Sequence, residues 1–291
     1  YDFVWDRETG EFTYLDGNAS PEQLPEMMNC WYYEGTKTLE ERSRLLEKYR
    51  EVISADLCEM NLVSNVTGMV PSSPFLSYPI AKASELANIF IPKEDGGILD
   101  KPGVVDVFYN LRGKDEASFC GGEFIVVKCE NEKMWDILKG KGHVMSKNGK
   151  YCCIYYPYHY MGLETPISIL LGDLMGIGTH DECRQVSVMA GVAQRDLPKG
   201  TVLKVEGHHH SIDGLIPELL ELKATGNAAP FYLLNGSVLL NDVKKGQPVT
   251  TDDVDLSGLE TYQHYKKGLD LKSEKSENRV KAKREKRVAM T

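Results

Sequence analysis

VAQRDLPKGTVL (192–203) is the stretch that decides the fold of the C-terminal part of the chain. An apolar run ends, Asp196 opens a turn, and Lys199-Gly200 leads into a second apolar run. Asp is a turn former, and Gly supplies backbone angles that L-residues resist. The same order returns in LLNDVKKGQPV (239–249), with Asp242 and Lys245-Gly246 in the matching places. Two such corners predict a small all-β domain over 186–258, folded about a pseudo-twofold axis. Upstream, VVDVFYNL (104–111), GEFIVVKC (122–129) and YCCIYYPY (151–158) read as strands. Residues 132–141 and 166–175 read as helices, 147–150 as a tight turn and 80–89 as a short helix. Residues 1–36 are aromatic and turn-rich. Thr38 and Glu41 then have the spacing of a capping box. Behind them Leu39, Leu45, Leu46, Tyr49, Val52 and Ile53 keep helical spacing, with Glu40–Arg44 as a surface pair; the pattern continues, with a break near Ser54, toward Asn65 and a stop at Gly68. The fold class expected is an α+β domain (1–185), an all-β domain (186–258) and a charged tail (259–291).

Composition narrows the functions. In 291 residues, 42% hydrophobic and 26% charged side chains fit a globular protein rather than a disordered or fibrous one. No run approaches the ~18 apolar residues of a membrane span. Residues 272–291 carry eight Lys/Arg against three Glu, and the other residues 26 against 40, so a body of net charge −14 precedes a tail of +5. So acidic a body argues against nucleic acid as a partner, because phosphate neutralisation needs clustered cations. The tail reads as a solvated terminus or as a polyanion-binding arm. Seven cysteines without a CxxC pair argue against a zinc ribbon. They point to reduced thiols in a cytoplasmic protein, which makes the sequons at Asn65 and Asn235 accidental.

Few segments carry chemistry. No GxGxxG follows a strand, and GDLMGIG (172–178) follows a helix-like run, so no cofactor-binding residue is assigned here. Glu34-Gly35-Thr36-Lys37 precedes the capped helix. A Lys at the positive end of the helix dipole tends toward a lower pKa, which suits proton transfer or anion capture. An ordinary loop Lys is the plain alternative. YYPYHYMGLE (155–164) crowds aromatics around His159, a substrate-binding or a structural imidazole. Adjacent His208, His209 and His210 lack ligand spacing, so no metal is expected. Gly121-Gly122 makes a bend or a phosphate cradle.

Together these segments resemble SAF-domain oxidoreductases of the homoserine-dehydrogenase-like group that includes 1-deoxy-D-xylulose 5-phosphate reductoisomerase-like enzymes. The resemblance rests on EGTKT (34–38), EMNLVSNVTGMVP (59–71), GGEFIVVK (121–128), GKYCCIYYPYHYMGLETPISI (149–169) and AQRDLPKGTVL (193–203). It implies an N-terminal Rossmann domain outside this chain that holds NADP or NAD, an α+β catalytic and oligomerisation domain, and a C-terminal SAF β-clip. It makes Lys37 the catalytic candidate, with Glu34 setting its orientation, and Thr36, Tyr158 and His159 the substrate-binding candidates. A small polar carbonyl or polyol is the implied substrate class, in a cytoplasmic homo-oligomer without nucleic-acid or membrane partners. Tyr156 stands where the family has Arg. About 18 extra residues between Lys37 and Glu59 are close to five helical turns, which a single helix would absorb. The competing class is a non-enzymatic SAF-type carbohydrate-binding protein, against which EGTK and PYHxxGLE argue.

Overall fold

Alternation in Asp2–Trp5 and Glu11–Leu15 turns Phe3, Trp5, Phe12 and Tyr14 to one side, where all four are buried. The two strands pair antiparallel, with Phe3 opposite Tyr14 and Trp5 opposite Phe12. In the computed structural model, which describes residues 2–15, 21–119, 121–128, 130–178, 185–207 and 209–269, this hairpin lies within a five-stranded mixed sheet. Asp2–Trp5 also pairs parallel with Tyr109–Gly113, which pairs parallel with Ile80–Ala81; Glu22–Gln23 closes the other edge. The first residues, expected to be turn-rich, therefore supply the sheet's central strand. Their period-two signal is confined to runs of four and five residues.

The chain divides into two compact units, residues 1–51 with 77–179 and residues 52–76 with 180–291. In the first, a second sheet pairs Glu123–Lys128 and Val144–Met145 antiparallel with Tyr151–Tyr156. Phe124, Val126 and Cys153 pack from it against Leu86, Ile89 and Phe90. The expected helix at 80–89 is a correction: Ile80–Ala81 is a strand, Ala83–Glu85 a 3-10 turn, and only Leu86–Ile89 is α-helical. The helix expected at 166–175 begins at Met161 and carries Pro166 inside it.

Arg42 organises the first unit. It lies on the helix Thr36–Leu45 and is completely buried. Its guanidinium donates to both carboxylate oxygens of Glu85 (2.7 and 3.0 Å) and to the carbonyls of Cys30 (2.8 Å), Trp31 (2.8 Å) and Ile80 (3.0 Å). A buried charge is tolerable when it is paired and its remaining donors are met, as they are here.

The helical run expected beyond Thr38, with a break near Ser54, is two helices. Thr36–Leu45 ends in a 3-10 turn, Glu47–Tyr49, and Ser54–Thr67 belongs to the second unit, closed by Gly68 in the left-handed region. Asn65 fixes that helix: its side-chain oxygen accepts from Val186 N (2.7 Å) and Ser187 N (3.1 Å), and its amide donates to Ser187 O (3.2 Å). Ser187–Ala193, buried throughout, pairs antiparallel with Leu215–Glu221. The two corners face each other. Leu197 and Val243 exchange backbone hydrogen bonds of 2.9 Å, Asp196 accepts from Lys245 N (3.0 Å), and Asp242 accepts from Lys199 N (2.8 Å). This reciprocity is the pseudo-twofold anticipated from the repeat. With the helix Ser54–Thr67 included, the second unit is not all-β. The readings of His208 and of the basic tail from residue 270 fall outside the described residues.

Arg42→Ala should cost about 3–5 kcal/mol, because it strands the buried Glu85 carboxylate and three carbonyls. Arg42→Lys should recover little of that, since an ammonium cannot reproduce the guanidinium fork. Urea denaturation followed by circular dichroism measures both; a loss below ~1 kcal/mol for the Ala variant would show the pair to be dispensable.

Candidate functional site

The segment Trp31–Lys37 enters the helix Thr36–Leu45 through Gly35, which takes the N-cap position at φ 154°, ψ −172°. That region is essentially restricted to glycine. The helix thus starts two residues before Thr38, and the expected capping box does not form. Thr38 is buried instead, and its hydroxyl accepts from Glu34 N (3.1 Å). Lys37 lies in the first helical turn, exposed, at the positive end of the helix dipole. Glu34 is exposed as well, and the two form no ion pair. Thr36 lines a cavity of about 290 Å³ together with Leu39, Glu40, Ser43, Ser77, Pro79 and Ile98.

His159 and Tyr158 follow the strand Tyr151–Tyr156. The His159 Nδ1 lies 3.6 Å from a Glu123 carboxylate oxygen and 3.7 Å from one of Glu164, within ion-pairing reach when the ring is protonated. Glu164 also accepts from Tyr160 N (3.1 Å), fixing the turn that starts the helix Met161–Met175. The strand register puts Glu123 opposite Tyr156, which brings GGEF beside PYHY. At Gly122 a Cβ would meet Tyr156 O at 2.8 Å, so glycine is needed there for the close approach. Tyr158 and Tyr160 share an O–H···O hydrogen bond of 3.1 Å, and both rings are exposed beside Tyr156. No hydrogen bond or ion pair joins Glu34, Thr36 or Lys37 to Tyr158 or His159.

Two lysines that sequence reading passed over approach the Trp31–Lys37 segment. Lys147 Nζ donates to Tyr33 O (2.9 Å), and Lys82 Nζ lies 3.4 Å from the centre of the Trp31 ring. Among the described cysteines, thiol chemistry is not prepared. Burial pushes Cys153 up to about 12 and raises Cys152, Cys30 and Cys58, which disfavours thiolates near neutral pH. No group of three metal-ligating side chains occurs among the described residues. Nor is any described helix long and apolar enough to cross a membrane.

Residues 52–165 match the family described as oxidoreductase DRL, catalytic domain. No curated protein matches the chain. The matched segment carries an oxidoreductase catalytic-domain pattern; it contains Lys82, Glu123, Tyr158, His159 and Glu164, and lies downstream of Glu34, Thr36 and Lys37.

Gly35→Ala tests the loop. A Cβ there meets nothing within 4 Å, so any penalty comes from the backbone angle. A destabilisation on the order of 1–3 kcal/mol is expected from thermal melts; an unchanged melting temperature would show that Ala tolerates this loop conformation.

Proposed function

We propose that this chain handles the substrate of an NAD(P)-dependent oxidoreductase that interconverts a small polar carbonyl and its alcohol, with phosphorylated sugars among the candidate substrates. The observation that carries the reading is the match of residues 52–165 to an oxidoreductase catalytic domain. In this reading Lys37 acts on the substrate oxygen, where charge develops as the carbonyl is reduced and a positioned cation or acid lowers the barrier. Its exposed place in the first helical turn leaves the ammonium free for that contact. Glu34 precedes that helix and Thr36 opens its first turn, while Tyr158 and His159 offer hydrogen bonds to substrate hydroxyls. The facing corners at Asp196 and Asp242 support a SAF β-clip for the second unit.

The described residues do not fit a dinucleotide. Pyrophosphate binding uses a glycine turn leading from a strand into a helix N-terminus. The 172–178 glycines lie instead at a helix C-terminus, capped by left-handed Gly176. In this reading a domain outside the described residues holds the nicotinamide, and this chain binds the substrate and holds a proton near its oxygen. The helix Met161–Met175 has no buried residue, and Met161, Leu163, Ile169, Leu174 and Met175 are all more than 60% exposed. Apolar surface of this kind marks an interaction site, in keeping with a homo-oligomer.

In catalytically competent full-length protein, Lys37→Ala should lower kcat by ~100-fold or more, the usual cost of losing a positioned general acid, with folding nearly intact. Wild-type turnover would remove Lys37 from the mechanism, and a large fall in melting temperature would make its role structural. Arg at this position keeps the charge but cannot give up a proton near neutral pH, so rescue by Lys37→Arg would favour electrostatic stabilisation over proton transfer. Calorimetric titration of the 291-residue chain with NADH and NADPH should show negligible binding; micromolar affinity would place the cofactor on this chain.

A further inference from the structure

Lys82 leaves the strand Ile80–Ala81 and lays its half-buried side chain against an aromatic floor. Its Nζ is 3.4 Å from the centre of the Trp31 ring and 5.6 Å from that of Tyr32. Trp31 is buried and rests on buried Trp5, with ring centres 5.0 Å apart. The ammonium makes no hydrogen bond or ion pair with any described residue, although a cation withdrawn from water ordinarily finds a carboxylate. Arg7 approaches the same Tyr32 ring at 5.5 Å and is exposed. Because both cations lie near one ring centre, they are at most about 11 Å apart, the sum of the two distances. A phosphate-bearing aldehyde is long enough to span that separation, whereas a two-carbon oxo acid bridges the two cations only where they stand closer.

The amine is also held in place. Arg42 donates to Trp31 O, and the Lys82 backbone N–H donates to the Glu85 carboxylate (3.0 Å) that Arg42 grips. One buried ion pair therefore fixes both the floor and the residue above it. Burial lowers the Lys82 pKa; Glu116 and Glu85 oppose that, and Arg42 and Arg7 reinforce it. A larger share of neutral amine follows, and only the neutral amine is nucleophilic.

We propose that Lys82 and Arg7 form a binding site for a small carbonyl compound bearing an anionic group, the carbonyl meeting Lys82 and the anion Arg7. The neutral Nζ adds to the carbonyl carbon, and the resulting carbinolamine loses water to give an imine. The step is reversible, with no net oxidation. Lys82 lies inside the segment that matches an oxidoreductase catalytic domain. None of the contacts that build the site involves Lys37 or a nicotinamide, and its test needs no cofactor, so its failure and that of the proposed function are distinguishable.

The experiment uses the 291-residue chain with two probes, pyridoxal 5′-phosphate and glyoxylate, each trapped by borohydride and mapped by peptide mass spectrometry. Lys82 is expected to be labelled at least about 10-fold faster than exposed Lys37, Lys93 and Lys114 by one probe or both. The faster probe tells whether phosphate or carboxylate is preferred. Excess inorganic phosphate should suppress pyridoxal phosphate labelling. Arg7→Ala should raise the half-saturating concentration of the preferred probe about 10-fold, the loss of one charge-assisted contact. Labelling of Lys82 at or below the rate of the exposed lysines would overturn the proposal and leave the Trp31 contact as packing. Fast labelling that ignored both phosphate and Arg7→Ala would overturn the anion half of the site.

Discussion

The Arg42–Glu85 pair is the constraint on which the first unit depends. Two ions removed from water carry a desolvation cost of several kcal/mol each, and the geometry must offset it. It does so by directing five hydrogen bonds from one guanidinium, two to Glu85 and one each to Cys30, Trp31 and Ile80. Those acceptors come from a 3-10 turn, the segment leading to Gly35, and a sheet strand, with the donor on the helix that the segment enters. The position of the Trp31–Lys37 loop relative to its own helix is therefore set by a polar lock rather than by apolar contact alone. A carbonyl without its donor would be an orphan in a dry interior, so the arrangement has little room to drift.

The second unit is held by different means. Its two corners satisfy each other: each Asp accepts the backbone N–H that follows the other, while Leu197 and Val243 pair across the pseudo-axis. Neither half could meet its turn's polar groups alone. The helix Ser54–Thr67 joins this unit through Asn65, which takes two backbone N–H groups and donates to the carbonyl of Ser187. EMNLVSNVTGMVP thus contributes a docking asparagine, and the sequon there is occupied by structure.

The helix that begins at Thr36 was legible because apolar residues such as Leu39 and Leu45 recur at helical spacing, a local signal. The cap was misplaced because Thr38 and Glu41 have capping-box spacing, yet the Thr38 hydroxyl is satisfied by Glu34 N–H inside the turn. Charge on that helix was assigned to a surface pair, Glu40 with Arg44, while buried Arg42 went unnoticed. Its partner Glu85 lies 43 residues away, and nothing in helical spacing distinguishes an inward arginine from an outward one. The same holds for His159, whose neighbour Glu123 is delivered by antiparallel register.

The sequence by itself determined whatever is written in neighbouring residues: the strands at 123–128 and 151–156, the left-handed stop at Gly68, and the repeated Asp corners. Turn chemistry and side-chain alternation act over a few residues, and a repeat displays its symmetry without a partner. Tertiary structure alone decided that the two helices on either side of residues 46–53 belong to different units. It also decided that Arg42 is internal and that Lys82 rests on Trp31. Periodicity shows that a face is buried but not what buries it; that choice depends on long-range contacts, whose partners leave no mark in the local pattern.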